Sequence, residues 1–244
     1  MRVLHAGHGD GLGVAAARGS RADRGAGQER AGGQTIAIGA LTRHRELEAS
    51  PLLAREAPLL ASAAGRVGDP QVRHRGTIGG SLVHGDPAAD LPAVALAMDA
   101  TLVARGPDGS REVAVGEFFT DLFETAFGPD ELLTEIRIPK PAEPGWSFQE
   151  FTRRALDRVI VGVAVSGGTR PGIGLITMGP LPLRATAVEQ ALAGGASIRD
   201  AAARATAGTQ PPDEPGAGAA YRSHLVRVLV RRALEEAATR GGAA

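Results

Sequence analysis

The chain has 244 residues, a formal net charge of zero and no cysteine. That length holds one large domain or two small ones with real cores, and the balanced charge argues against nucleic acid or an anionic membrane surface. Without cysteine there are no disulfides, no cysteine-held iron–sulfur cluster and no thiol nucleophile, so any electron traffic needs an organic cofactor here and metal centres on another chain.

Residues 1–34 hold nine glycines and five arginines with almost no apolar period, which predicts an irregular segment. Gly11-Leu-Gly-Val-Ala-Ala16 fits the loose GxGxxA form of the dinucleotide fingerprint. The run before it is short for a strand and no second strand follows at the βαβ distance, so it reads as a chance pattern. The N-terminus has no apolar leader and no run of about 18 apolar residues occurs, which makes a cytoplasmic protein without a membrane span the expectation. From Thr35 the pattern becomes orderly. Thr35 to Leu41 reads as a strand, and Arg43 to Leu60 as one or two short helices bounded by Pro51 and Pro58. His44 has no second ligand at helical spacing and is expected at the surface, near a helix start.

The densest stretch is Gly76 to Pro92, Gly-Thr-Ile-Gly-Gly-Ser-Leu-Val-His-Gly-Asp-Pro-Ala-Ala-Asp-Leu-Pro. Gly79 and Gly80 sit in an apolar, strand-like run, where missing side chains let a backbone or a ligand come close and let N–H groups converge on an anion. Asp86 and Asp90 accept hydrogen bonds from hydroxyls and repel phosphate, so they suit the sugar or ribityl part of a nucleotide. The plainer alternative is a sheet bulge followed by a helix, with Asp86 as its cap and Pro87 at its first position. His74 and His84 flank this loop without a paired acid or nucleophile, so His84 reads as a loop residue near a ligand.

Pro92 to Met98 should be a short buried helix. Gly106-Pro-Asp-Gly109 marks a hairpin between Thr101–Ala104 and Glu112–Val115. Phe118, Phe119 and Phe123 have nearly helical spacing and, with Phe127, read as a core cluster. Leu132 to Ile138 reads as a strand, and Lys140-Pro-Ala-Glu-Pro-Gly145 as a linker. Three strand-like runs follow at 146–151, 159–165 and 173–178. Helices are expected at 184–193 and 197–206, with a proline-rich loop at 210–218. The last helix, 221–239, would place Leu225, Val228, Leu229 and Leu234 on one side.

The Arg66–Arg75 and Gly76–Pro92 stretches resemble the flavin-binding medium subunit of the molybdenum hydroxylases, the carbon monoxide dehydrogenase and xanthine dehydrogenase family. The likeness continues through Ala93–Ala104 and Glu131–Pro139. It implies an α+β fold: a partial FAD-binding domain of the molybdopterin-dehydrogenase type, with antiparallel sheet and helices, then a small α/β C-terminal domain of three strands plus helices. The implied divisions are 1–34, 35–140 and 145–244. By the same resemblance Thr77, Ile78, Gly79, Gly80 and Ser81 meet the FAD diphosphate, Asp90 and more weakly Asp86 a sugar or ribityl hydroxyl, and Leu133 the flavin ring. No catalytic residue and no metal ligand is implied on this chain. The molybdenum cofactor and 2Fe–2S clusters belong to a large and a small partner subunit, and the FAD passes their electrons to an acceptor.

Departures from the family pattern support a rival expectation, a structural or assembly subunit that has lost FAD. The family's first subdomain looks largely missing, with Gly32 and Gly33 as a remnant of its glycine loop or a chance match. A displaced start or frame would also account for residues 1–34. In Arg153–Val159, Leu156 stands where the family usually has glycine and Arg158 where it has an aromatic residue. Burying that arginine would cost several kcal/mol unless it reaches solvent or a partner.

Overall fold

Small residues alternating with large ones in the second half of the chain decide how its two layers meet. The computed structural model describes residues 14–17, 35–154 and 156–242. In chain order the first half has β1 (Val14–Ala17), β2 (Thr35–Gly39), α1 (His44–Glu48), α2 (Pro51–Glu56), α3 (Pro58–Ala64), α4 (Pro70–Arg75), α5 (Ile78–His84) and α6 (Asp90–Ala97). β3 (Thr101–Gly106), β4 (Gly109–Ala114), β5 (Phe119–Asp121), β6 (Glu124–Thr125) and β7 (Leu132–Pro139) follow. Among the described residues the first sheet is antiparallel, in the order β1-β2-β7-β3-β4.

The second half holds β8 (Trp146–Phe151), β9 (Val161–Ser166), β10 (Gly172–Ile176) and β11 (Leu183–Arg184), then α7 (Thr186–Ala193), α8 (Ile198–Ala202) and α9 (Ala219–Arg240). Its sheet runs β11-β10-β9-β8. The three expected strands are there, and the two-residue β11 joins them because Leu183 and Arg184 pair with β10 before the helix can start. β9 and β10 are buried along their whole length. Val161, Val163, Val165, Ile173 and Leu175 face the core shared with α7, α8 and α9, and Gly172 and Gly174 on the other face of β10 meet α6.

α6 is buried on all sides, packed against α3 and α5 and against β9 and β10. A Cβ on Gly172 or Gly174 would overlap the carbonyl of Ala97 or Ala93, so helix and sheet meet backbone to backbone. Polar contacts lock the same seam. Thr177 donates its N–H to the Pro87 carbonyl at 2.8 Å, and Arg184 donates to the Leu96 carbonyl at 3.1 Å and pairs with Asp99.

Several sequence expectations change. Val14–Ala17 is a strand paired antiparallel with β2 inside the segment expected to be irregular. The GxGxxA pattern would need a helix to begin there; Gly11 and Gly13, like Gly32 and Gly33, lie outside the described residues. His44 is 4% exposed rather than at the surface, because Gly76 has no side chain and its space is filled by the imidazole. The phenylalanines are not helical. Phe118 meets Phe119 and Phe127 edge to face, whereas Phe123 is exposed, has φ +58° and leans on His84, the last residue of α5. On α9 the buried face runs through Arg222, Val226, Leu229, Val230, Ala233, Leu234 and Ala237, so Val228 lies beside it, not on it.

Candidate functional site

The glycine pair is neither a bulge nor an open loop. Thr77 caps α5 by accepting the Gly80 N–H at 3.1 Å, and Gly85 in the left-handed region (φ 67°) ends that helix. Ile78 donates to the Thr42 carbonyl at 3.0 Å, Gly79 to Ala40 at 2.9 Å and Ser81 to Thr77 at 3.0 Å. Each N–H from Ile78 to Ser81 is therefore spent inside the protein. The converging N–H groups anticipated from the glycines are absent because the stretch winds into a helix instead.

The two glycines do different work. A Cβ on Gly79 would lie 2.6 Å from the Ala40 carbonyl oxygen and 2.7 Å from its Cβ. Gly79 thus lets α5 sit on the turn after β2. Gly80 is exposed, and the nearest obstacle to a Cβ there is the Thr77 hydroxyl at 2.9 Å. The hydroxyls of Thr77 and Ser81 remain as the polar side chains of this helix start.

Asp86 does not cap a helix. Its Oδ1 accepts the Ala88 N–H at 2.8 Å in a local turn, and its Oδ2 lies 3.6 Å from Arg158. α6 begins three residues after Pro87, at Asp90, and Pro92 falls in its first turn, where no N–H is required. Asp90 is 9% exposed, its charged neighbours are Glu150 of β8, Arg66 and Asp86, and its Oδ1 is buried without a hydrogen-bond partner. Burial, followed by the nearby Glu150, holds its carboxyl well above the usual range.

Ser81 and Asp90 come together on the wall of a cavity of about 700 Å³. Glu150, Arg66, Leu156 and Arg158 line it too. Arg66 lies 3.7 Å from Glu150, and its guanidinium is 6.0 Å from the Phe148 ring centre. Arg158 sits in the loop between β8 and β9 with its side chain 79% exposed, so its charge reaches solvent and also faces Asp86. The burial cost anticipated for it does not arise. Leu133 is half-buried on β7, where the register with β3 shifts between Val103 and Ala104. That shift puts Leu133 on the same face as the buried Ile136. It is tied to α5 through Ala40, which donates to the Thr134 carbonyl at 3.0 Å and accepts from Gly79.

Reading the sequence for site residues missed Glu150 and Arg66. Glu150 had a signal: it follows Phe148 by two residues, so an acid falls on a core-facing side of a strand. Arg66 had none, since its place comes from the turn after α3.

Residues 27–141 match the family model described as the FAD binding domain in molybdopterin dehydrogenase, and residues 146–237 match the CO dehydrogenase flavoprotein C-terminal domain. The carbon monoxide dehydrogenase medium chain of Hydrogenophaga pseudoflava is 37% identical over 216 residues, covering 84% of this chain and 75% of that protein. The 6-hydroxypseudooxynicotine dehydrogenase complex subunit alpha of Paenarthrobacter nicotinovorans is 38% identical, with 84% and 73% covered. A solved carbon monoxide dehydrogenase from Hydrogenophaga pseudoflava superposes with a TM-score of 0.81 at 38% identity, covering 89% of this chain and 79% of that one.

Proposed function

The chain belongs to the FAD-binding medium subunits of the molybdenum hydroxylases, and we propose that it holds FAD and passes electrons from a 2Fe–2S small subunit to an acceptor. A molybdopterin-binding large subunit would complete the complex and oxidise the substrate, as in a carbon monoxide dehydrogenase or another dehydrogenase of this family. The FAD-binding unit is assigned to 35–140 and the C-terminal unit to 145–244. The observation that carries the reading is the cavity of about 700 Å³ whose wall brings Ser81 of α5 beside Asp90 of α6, whose Oδ1 is a buried acceptor without a partner. An unsatisfied buried oxygen of this kind costs free energy that a ligand hydroxyl recovers.

Bound FAD supplies an electron store that the protein orients and tunes. Asp90 would accept from a ribityl or sugar hydroxyl, with Asp86 spent on its own turn. The hydroxyls of Thr77 and Ser81 would donate to the diphosphate, beside the open space that Gly80 leaves, and Ile78 and Gly79 fix that helix start. Leu133 would bound the ring. None of these residues moves a proton or attacks a substrate; they bind and orient.

The engaged N–H groups of residues 78–81 favour one second reading, a structural or assembly subunit that no longer takes FAD. The visible absorption spectrum separates the two. With added FAD, a flavin band that survives gel filtration is expected, and Gly80→Asp, which sets a carboxylate beside the Thr77 hydroxyl, should abolish it. A protein that stays colourless even with its partner subunits would leave the structural reading.

A further inference from the structure

Residues two apart in a strand share a face, so a continued β10 would send Ile176 and Met178 to the same side. They part instead. Ile176 is buried in the core around α3 and α6, and Met178 in the core shared with α7, α8 and α9. The residue between them, Thr177, makes the switch with φ +61°, in the left-handed region. Among the described residues no other β-branched side chain has a positive φ. Such a conformation is unfavourable, persists only where its surroundings dictate it, and gathers at functional sites.

The bend aims two donors of Thr177 at two separate segments. Its N–H donates to the Pro87 carbonyl at 2.8 Å, and its hydroxyl to the Val159 carbonyl at 3.1 Å. Pro87 belongs to the turn closed by the Ala89 N–H on the Asp86 carbonyl, which leads into α6 and Asp90. Val159 ends the loop that carries Leu156 and Arg158. Ala88 and Ala89 from the turn, and Leu156, Arg158 and Val159 from the loop, line the 700 Å³ cavity. Thr177 stands behind them. We propose, resting on the FAD reading above, that Thr177 is a positioning residue: it holds the Pro87 turn and the Val159 loop at a fixed spacing, and that spacing sets the affinity for FAD.

On the cavity side the same two segments are joined by Asp86 and Arg158, 3.6 Å apart, with Arg158 exposed. A long, solvent-exposed ion pair holds little. Both bonds of Thr177 have ordinary hydrogen-bond lengths and come from a half-buried residue. The bond to Pro87 is a backbone bond, kept by every substitution except proline, whereas the bond to Val159 rests on the hydroxyl alone. Without that hydroxyl the loop is tied less closely to the turn. Affinity then falls in proportion to the time the binding-competent spacing is occupied.

Two substitutions remove the hydroxyl with opposite consequences for the backbone. Thr177→Gly adopts the left-handed conformation without strain, which offsets the lost hydrogen bond, so its thermal midpoint without FAD should stay close to wild type. Thr177→Val keeps the branched side chain and its strain, so its midpoint should fall by about 2–4 °C. Both should nevertheless weaken FAD binding by about fivefold, read by flavin fluorescence on the full chain well below the midpoints. Thr177→Ser restores the hydroxyl and should bind within about twofold of wild type. Hydrogen exchange across residues 152–160 without FAD should quicken in the glycine and valine variants and not in the serine one.

If Thr177 served stability alone, affinity would follow the midpoint and Thr177→Gly would bind as wild type does. That result, or a serine variant as weak as the valine one, overturns the proposal. Should Thr177→Val not fold, glycine and serine decide between them. A wild type that takes up no FAD fails the FAD reading instead, and exchange then tests the hold on the wall by itself: equal rates in wild type and variants would overturn that too.

Discussion

Two glycine pairs, Gly79–Gly80 in α5 and Gly172–Gly174 in β10, look alike in composition and act differently. The first has one glycine pressed on the Ala40 backbone and one open to solvent. The second has both glycines pressed against carbonyls of α6. The difference comes from the element that carries them. Neighbours in a helix point in different directions, so a helical pair splits between a packing role and an open one. Residues two apart in a strand share a face, so the strand pair makes a single flat seat for a helix.

Breaking the seat should cost most. Gly174→Ala puts a Cβ into the Ala93 carbonyl, and neither backbone can yield without moving α6 or the sheet. The expected loss is about 3 kcal/mol or more, at the upper end of overpacking penalties. Chemical denaturation measures it, and a loss under about 1 kcal/mol would mean that the helix does not press on the sheet there.

The seat was legible in the sequence, although it was not read as one. Gly162 and Ala164 alternate with valines, and Gly172 and Gly174 flank Ile173, and successive small residues on one strand face let another backbone approach closely. The hairpin at 106–109, the helix starts at Pro51 and Pro58 and the aromatic core at Phe118 were legible for similar local reasons. The α5 helix was not. Its composition, Ile-Gly-Gly-Ser, argues against a helix, and it forms because Thr77 caps it and the turn at Ala40 and Thr42 takes its first N–H groups. Those partners lie more than 30 residues away, where no local pattern reaches. His44 was misread for the same reason, since its burial depends on Gly76.

The helical pair gives a finer contrast. Gly79→Ala should cost about 1–3 kcal/mol through the Ala40 contact, whereas Gly80→Ala meets only the Thr77 hydroxyl and should cost less than about 1 kcal/mol. If instead Gly80→Ala proves the more harmful to stability, the division of labour assigned to the pair is wrong.

The smallest effect lies where the chain lacks a glycine that its backbone calls for. Leu156 has φ +68° and is 73% exposed on the rim of the cavity. A side chain in the left-handed region costs about 1–2 kcal/mol, and here almost no burial repays it. Replacing leucine with glycine also frees the unfolded chain, which takes back about 0.4–1 kcal/mol. Leu156→Gly should therefore stabilise by about 0.5–1 kcal/mol, a rise of roughly 1–4 °C in thermal midpoint for a chain of this length. Leu156→Ala is the control: it keeps the Cβ and the strained φ, so it should gain nothing. A rise in glycine alone assigns the effect to the backbone. Equal rises in both would assign it to the exposed apolar side chain, and no rise in either would mean that the turn carries no strain.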